Sequence, residues 1–144
     1  MPLLTTCEVE YSLLARAPEA ELIPAMITHG VSLLPYYPLA SGLLTGKYRR
    51  DAPTPQGARI TQGKRYQDMF LTEANWRRIE ALQAFCTARG HTLLELAFSW
   101  LVAQPVVATV IAGATQPAQL EANVKAAGWL LSAAELAEID CITA

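Results

Sequence analysis

The sequence predicts an α/β fold, a parallel sheet covered by helices, and three observations carry that expectation. Short, nearly continuous apolar runs alternate with segments of helical period, which is the pattern of strands buried on both faces. Helix start and stop signals recur between those runs. The chain of 144 residues is 52% hydrophobic and only 17% charged. That suffices for one domain with a core, but the charge is sparse for a free-standing one. Either much surface is buried against something else, or the chain is a piece of a larger fold.

The elements follow in order. Val9 to Leu14 is a short, mostly β-favouring run. Pro18 suits the first turn of a helix carrying Leu22, Ile23, Met26 and Ile27 on one face, with Gly30 as its stop. Val31 to Leu34 reads as a buried strand running into Pro35-Tyr36-Tyr37-Pro38, and a long loop rich in Gly, Pro and Arg spans about Ala40 to Met69. Thr72 caps the next helix, with Leu71 and Trp76 as a hydrophobic staple and Gly90 at its end. Thr92-x-x-Glu95 is a capping box for a helix with the stripe Leu93, Leu96, Ala97, Trp100 and Leu101, halted by Pro105. The β-branched run Val106 to Ile111 predicts a third strand. A shorter helix, Gln116 to Ala127 with Leu120 and Val124 in the core, ends at Gly128; Ser132-x-x-Glu135 opens the last, stapled by Leu131 and Leu136.

Three strands cannot close a barrel. They are compatible with one sector of an eight-stranded barrel, where ligand-contacting groups stand at the carboxyl ends of the strands. A net charge of −2 argues against general nucleic-acid binding. Cys7, Cys86 and Cys141 have neither disulfide-framework nor zinc spacing, and two histidines leave a metal centre short of ligands. No apolar run reaches the ~20 residues of a membrane span, and Met1-Pro2-Leu3-Leu4 lacks a basic leader. The expectation is a soluble cytoplasmic protein with reduced thiols and no metal. His91 is expected on the surface, and neither it nor His29 has catalytic spacing.

Three segments could carry chemistry. Tyr36 to Tyr48 starts at a strand end and combines aromatic rings, two glycines, a serine and Lys47. Rings there can stack on a flat heterocycle, and the glycines let backbone approach a ligand; the same segment reads equally as a tight apolar loop with packing tyrosines. Lys47, Arg49, Arg50, Arg59, Lys64 and Arg65 place six basic residues in nineteen, against one acid, Asp51. This is either a positive field for a phosphorylated ligand or a solvated loop. Gly113-Ala114-Thr115 leads into a helix whose free N–H groups suit an anion. Thr115 fits an N-cap or a phosphate ligand, and Gln119 and Asn123 share a helix face.

Together these segments resemble the aldo-keto reductases, especially their bacterial and channel-subunit-like branch. Val9-Glu10-Tyr11-Ser12-Leu13-Leu14-Ala15-Arg16 looks like the family's sixth strand. Pro35 to Tyr48 is similar to its seventh-strand signature, Tyr-Ser-Pro-Leu-x-x-Gly-Leu-Leu-Thr-Gly-Lys-Tyr. Val110 to Asn123 is similar to its Gly-Ala-x-x-x-x-Gln-Leu-x-x-Asn pattern. The resemblance covers nearly the whole chain, and implies a partial (β/α)8 TIM barrel: the last three βα units plus extra helices, in one domain over residues 1–144.

The resemblance implies NADP(H) as cofactor and a small-molecule carbonyl as substrate of the complete enzyme. Tyr36 would stack on the nicotinamide, with Tyr37 beside it. Pro38, Leu39, Ala40, Ser41 and Lys47 would follow the ribose and pyrophosphate, and Arg59 would face the phosphates. Gly113, Thr115, Gln119 and Asn123 would hold the 2′-phosphate and adenosine end. Glu8 stands where the family usually has a glutamine bonding the carboxamide; a carboxylate accepts from that amide but cannot donate to its carbonyl. Ala122 stands where an acid usually meets adenine. The family's Asp/Tyr/Lys/His tetrad belongs to the first half of the barrel, and the resemblance assigns none of it here. The expectation is therefore a cofactor-holding chain with little reductase activity alone, which self-associates or pairs with an amino-terminal half. The alternative is a non-catalytic module that binds NADP or a partner barrel, or the product of a truncated or split gene.

Overall fold

The computed structural model describes residues 4–144; Met1-Pro2-Leu3, read above for its lack of a basic leader, lies outside them. Two parallel strands, β1 (Thr6–Glu10) and β2 (Ser32–Tyr36), pair in the register Thr6↔Ser32 to Glu10↔Tyr36. The predicted first strand is thus shifted: pairing starts at Thr6 and ends at Glu10, and Ser12 and Ala15 then close a tight turn through reciprocal backbone bonds. Between the strands, Pro18 opens only a 3₁₀ turn, Ala17–Glu19, and helix α1 (Leu22–His29) follows. Of its expected face only Met26 is fully buried, while Ile27 is exposed. Gly30 stops α1 at φ 66°, a left-handed cap that glycine adopts without Cβ strain.

The segment Ala40 to Met69 is not a structureless loop. It contains a double 3₁₀ turn, Ala40–Thr45, another at Arg59–Gln62, and helix α2 (Lys64–Phe70). Residues 64–69 are all exposed and only Phe70 is buried, so α2 has no apolar stripe for periodicity to reveal.

The capped helices form as their signals predict. Thr72 accepts from Asn75 N at the start of α3 (Glu73–Thr87), and full capping boxes open α4 (Leu93–Val102) and α6 (Ala133–Thr143). The α4 stripe of Leu93, Leu96, Ala97, Trp100 and Leu101 is fully buried and is the centre of the core, joined by Tyr11, Leu33, Leu43, Leu44 and Leu82. The staple residues Leu71, Trp76, Leu131 and Leu136 pack against it. His91 is a correction: it is half-buried, with its ring stacked on Trp129 at 3.9 Å.

Val106 to Ile111 forms only the beginning of a third strand. Leu33 N donates to Val106 O, Ala108 N to Leu33 O and Ile111 N to Pro35 O, giving one parallel bridge, Leu33↔Val107, beside β2. Helix α5 (Pro117–Ala126) follows, with Gln116 rather than Thr115 at the N-cap position. Leu120 and Val124, expected in the core, are 56% and 70% exposed. They border an open apolar groove of about 380 Å³ between α4, α5 and residues 107–112. Their stripe is apolar, but no described element covers that side.

Candidate functional site

Strand alternation decides which side chains can reach a ligand. Leu33 and Pro35 are buried, and Cys7 and Val9 pack toward the same core. Successive side chains point to opposite faces, so Glu8, Glu10, Leu34 and Tyr36 stand on the face opposite the core. Register sets Glu8 beside Leu34 and Glu10 beside Tyr36. Glu8 therefore lies one two-residue step, about 6–7 Å, below the level of Tyr36. Glu10, which no motif singles out, is the direct neighbour of that ring; counting two residues from Glu8 finds it.

At the carboxyl end of β2 the chain turns sharply. Tyr37, Ala40 and Ser41 have φ of 53°, 45° and 57°, and Gly42 follows at 97°. Left-handed backbone at non-glycine residues costs roughly 1–3 kcal/mol each and persists where packing over-determines it. The packing is present: Pro38, Ala40, Leu43 and Leu44 are buried, and Ala40 N, Gly42 N and Leu44 N are tied to Tyr37 O, Leu39 O and Leu39 O. Ala40 is in the core, Leu39 packs against it and Pro38 is buried, so their backbone is the readier part to meet a ligand.

Around this turn the expected residues assemble. Tyr36 and Tyr37 are exposed and meet edge to face at 5.4 Å. The Ser41 hydroxyl is buried and has no hydrogen-bond partner among the described residues, a costly state that an incoming acceptor would relieve. Lys47 lies across Gly42, where a Cβ would come within 3.2 Å of Lys47 Cε and Nζ. Its ammonium is 5.2 Å from the Tyr48 ring. Arg59, more than twenty residues beyond β2, returns to place its guanidinium 5.9 Å from the Tyr37 ring. Buried Ala58 and Ile60 on either side hold it there.

The basic cluster is smaller than composition implies. Arg50 is paired with Glu73 and Glu80 on α3, and Lys64 with Asp68. Arg50 thus braces the loop against α3, and Lys47, Arg49, Arg59 and Arg65 carry the remaining positive field.

The Gly113 segment reaches the same sheet end. The bond from Ile111 N to Pro35 O, 2.9 Å, sets the start of the Gly113 turn beside the strand end that bears Tyr36. Gly113 has open space around it. Thr115 donates from both N and Oγ1 to Gln119 Oε1, at 2.8 and 3.1 Å, so these two residues form one unit at the start of α5. Asn123 lines the apolar groove with Ala112 and is separate from that unit. Tyr37 thus meets both Tyr36 and Arg59, Lys47 lies across the glycine that follows Ser41, Gln119 is bonded to Thr115, and Asn123 lines the groove.

Among those residues there is no cluster of three or more metal-ligating side chains, and no helix long and apolar enough to cross a membrane. An orphaned buried hydroxyl, a glycine crossed by a lysine and an unpaired arginine fit a phosphate-bearing ligand. The neighbouring exposed ring fits its heterocycle.

L-glyceraldehyde 3-phosphate reductase of Escherichia coli is 37% identical over 136 residues, which is 90% of this chain and 39% of the relative. A probable voltage-gated potassium channel subunit beta of Arabidopsis thaliana is 36% identical over 119 residues, 81% of this chain and 36% of that protein. The solved structure of a glycerol dehydrogenase from Gluconobacter oxydans superposes with a TM-score of 0.79 at 27% identity, over 98% of this chain and 42% of its own. The chain therefore spans less than half the length of these relatives, and its α/β architecture is that of one part of their barrel. The model of the aldo/keto reductase family matches residues 3–144, and the chain belongs to that family.

Proposed function

We propose that this chain is the cofactor-holding part of an NADP(H)-dependent carbonyl reductase. One observation carries the reading: the Ile111–Pro35 backbone bond joins the Tyr36 turn and the Gly113 turn at one end of the sheet. A dinucleotide is long and bipartite, and it needs two such segments at one edge. Tyr36 offers a ring face to the nicotinamide. Ser41, Lys47 and Arg59 offer one hydroxyl and two cations to the phosphates. Thr115 and Gln119 stand at the start of α5, where helix N–H groups favour an anionic 2′-phosphate. When bound, the cofactor supplies hydride to a carbonyl carbon. This chain's residues orient it; the acid that protonates the resulting alkoxide is not among them. Tyr11 is buried with its hydroxyl bonded to Glu19 at 2.8 Å, and burial pushes its ionisation far up, so it is no substitute.

The exposed Leu120 and Val124 and the partial third strand support a second element of the proposal. The open face would be completed by an amino-terminal barrel half or by self-association. Titration of the 144-residue chain with NADPH and NADH, followed by tryptophan fluorescence, tests the cofactor reading; saturable quenching is expected, strongest with NADPH. With NADPH and a reactive aldehyde the chain alone is expected to give no turnover. Robust reduction would show that the proton donor lies within this sequence.

A further inference from the structure

We infer that Tyr37 is a positioning residue of this site: its ring holds the Arg59 guanidinium in place for the cofactor phosphates while leaving all of its N–H donors free. This rests on the cofactor reading above and adds a residue and a role to it.

Three observations converge on Tyr37. Its backbone is left-handed at φ 53°, which a bulky L-residue rarely adopts, although the chain reverses there beside Pro38. That conformation turns the ring outward, where it is exposed and meets the Tyr36 ring edge to face at 5.4 Å. On the same ring sits Arg59, 5.9 Å from the centroid. Tyr36, Tyr37 and Arg59 therefore form a continuous ladder from the strand end toward the basic loop. The family signature quoted above has serine at this position, so the ladder belongs to this chain's own sequence.

The chemistry favours positioning over simple packing. An exposed arginine can be fixed by a carboxylate, but that uses its donors and cancels its charge. Arg50 shows the contrast, with both sides of its guanidinium edge bonded to Glu73 and Glu80. Arg59 has no carboxylate partner among the described residues, and its guanidinium carbon lies over the Tyr37 ring instead. A cation over an aromatic face keeps its charge, and the in-plane N–H groups stay available to a bidentate phosphate contact. Buried Ala58 and Ile60 fix the Arg59 backbone, so the ring needs to restrain only the flexible stem. Tyr37 thereby reduces the ordering cost at Arg59 when phosphate arrives.

The test is a double-mutant cycle on the 144-residue chain, with NADPH affinity read by fluorescence titration and folding checked by circular dichroism. Y37S is expected to weaken NADPH binding about two- to fivefold, the size of an exposed cation–π contact. Y37F, which keeps the ring, is expected to bind like the original chain. R59M should weaken binding more, and Y37S added to R59M should change nothing further. The salt dependence of binding should also weaken in R59M, where Lys47 remains, and be retained in Y37F. If Y37S binds as tightly as the original chain, or if the Y37S and R59M losses multiply, the positioning role is wrong and the cofactor site stands. If the original folded chain binds no nicotinamide nucleotide, the cofactor reading itself falls, and this inference with it.

Discussion

The Ser99 hydroxyl joins Trp129 to the end of α5: it accepts from Trp129 N and donates to Ala126 O, both at 3.1 Å. Ala126 is the last residue of α5, so its carbonyl is one of those a helix terminus leaves without an internal partner. Ser99 lies on the buried face of α4, where water cannot replace it. One hydroxyl therefore satisfies two backbone groups and ties α4 to the α5–α6 connection. Ser99→Ala is expected to cost about 1–3 kcal/mol, because the buried Ala126 carbonyl and the half-buried Trp129 N–H both lose their bond. Urea unfolding checks it: the midpoint should fall with little change in slope. An unmoved midpoint would mean the connection is held by Trp129 packing alone.

Two glycines separate backbone cost from site geometry. Gly30 and Gly42 both have positive φ, 66° and 97°. An added Cβ at Gly30 meets nothing within 4 Å, whereas at Gly42 it would come within 3.2 Å of Lys47 Cε and Nζ. Both alanine variants should lose about 1 kcal/mol of stability from the left-handed backbone. Only Gly42→Ala should also weaken nucleotide binding, because the lysine end must move. Thermal melts and NADPH titration on both variants decide this. Equal affinity in the two would remove Lys47 from the site.

What the sequence reveals, and what it hides, follows from the range of the forces involved. The helices opened by Thr72, Thr92 and Ser132 are legible because each cap lies within five residues of its staple or capping-box partner. The strand Val106 to Ile111 is half formed, bridged to β2 only at Leu33↔Val107, and sequence pattern does not say which neighbours a strand will find. The same reason leaves Leu120 and Val124 exposed on an apolar stripe. In the site, Tyr36, Ser41 and Lys47 are readable from one contiguous motif. The approach of Arg59 to Tyr37 is a tertiary contact across a loop of more than twenty residues, and composition shows the charge without its destination. Composition also counts Arg50 with the ligand-facing cations, although two acids on α3 consume it.

The two capping boxes predict the sign of a pH effect. The backbone N–H of Thr92 and then its hydroxyl hold the Glu95 carboxyl below its ordinary range, and Ser132 does the same for Glu135. His91 faces Glu95 at 3.6 Å and Arg89 faces Glu135 at 3.5 Å, and both favour the ionised carboxyls. A carboxyl whose folded pKa is depressed contributes stability above its unfolded pKa. That contribution fades as pH falls through the ordinary carboxylate range, near 4.5, and is lost below the folded value. The double variant Glu95→Gln, Glu135→Gln should thus melt below the original chain at pH 7, and the gap should narrow as pH falls below 4.5. A gap of unchanged size down to the acid limit of folding would assign the effect to packing instead of charge.

Cysteine reactivity offers a test that requires no ligand. Burial, reinforced by the Glu95 charge and opposed by Arg89, pushes the Cys86 thiol up to about 12. At pH 8 its thiolate fraction is then on the order of 10⁻⁴, and the thiolate is the reactive form. Cys141 is exposed on α6, and Cys7 is half-buried on the core face of β1. Iodoacetamide should therefore label Cys141 first and leave Cys86 untouched until denaturant opens the core, with mass spectrometry reading the order. Labelling of Cys86 at the rate of Cys141 in the native chain would mean that α3 and α4 separate readily, and that the core described for this part of the barrel does not hold without its covering elements.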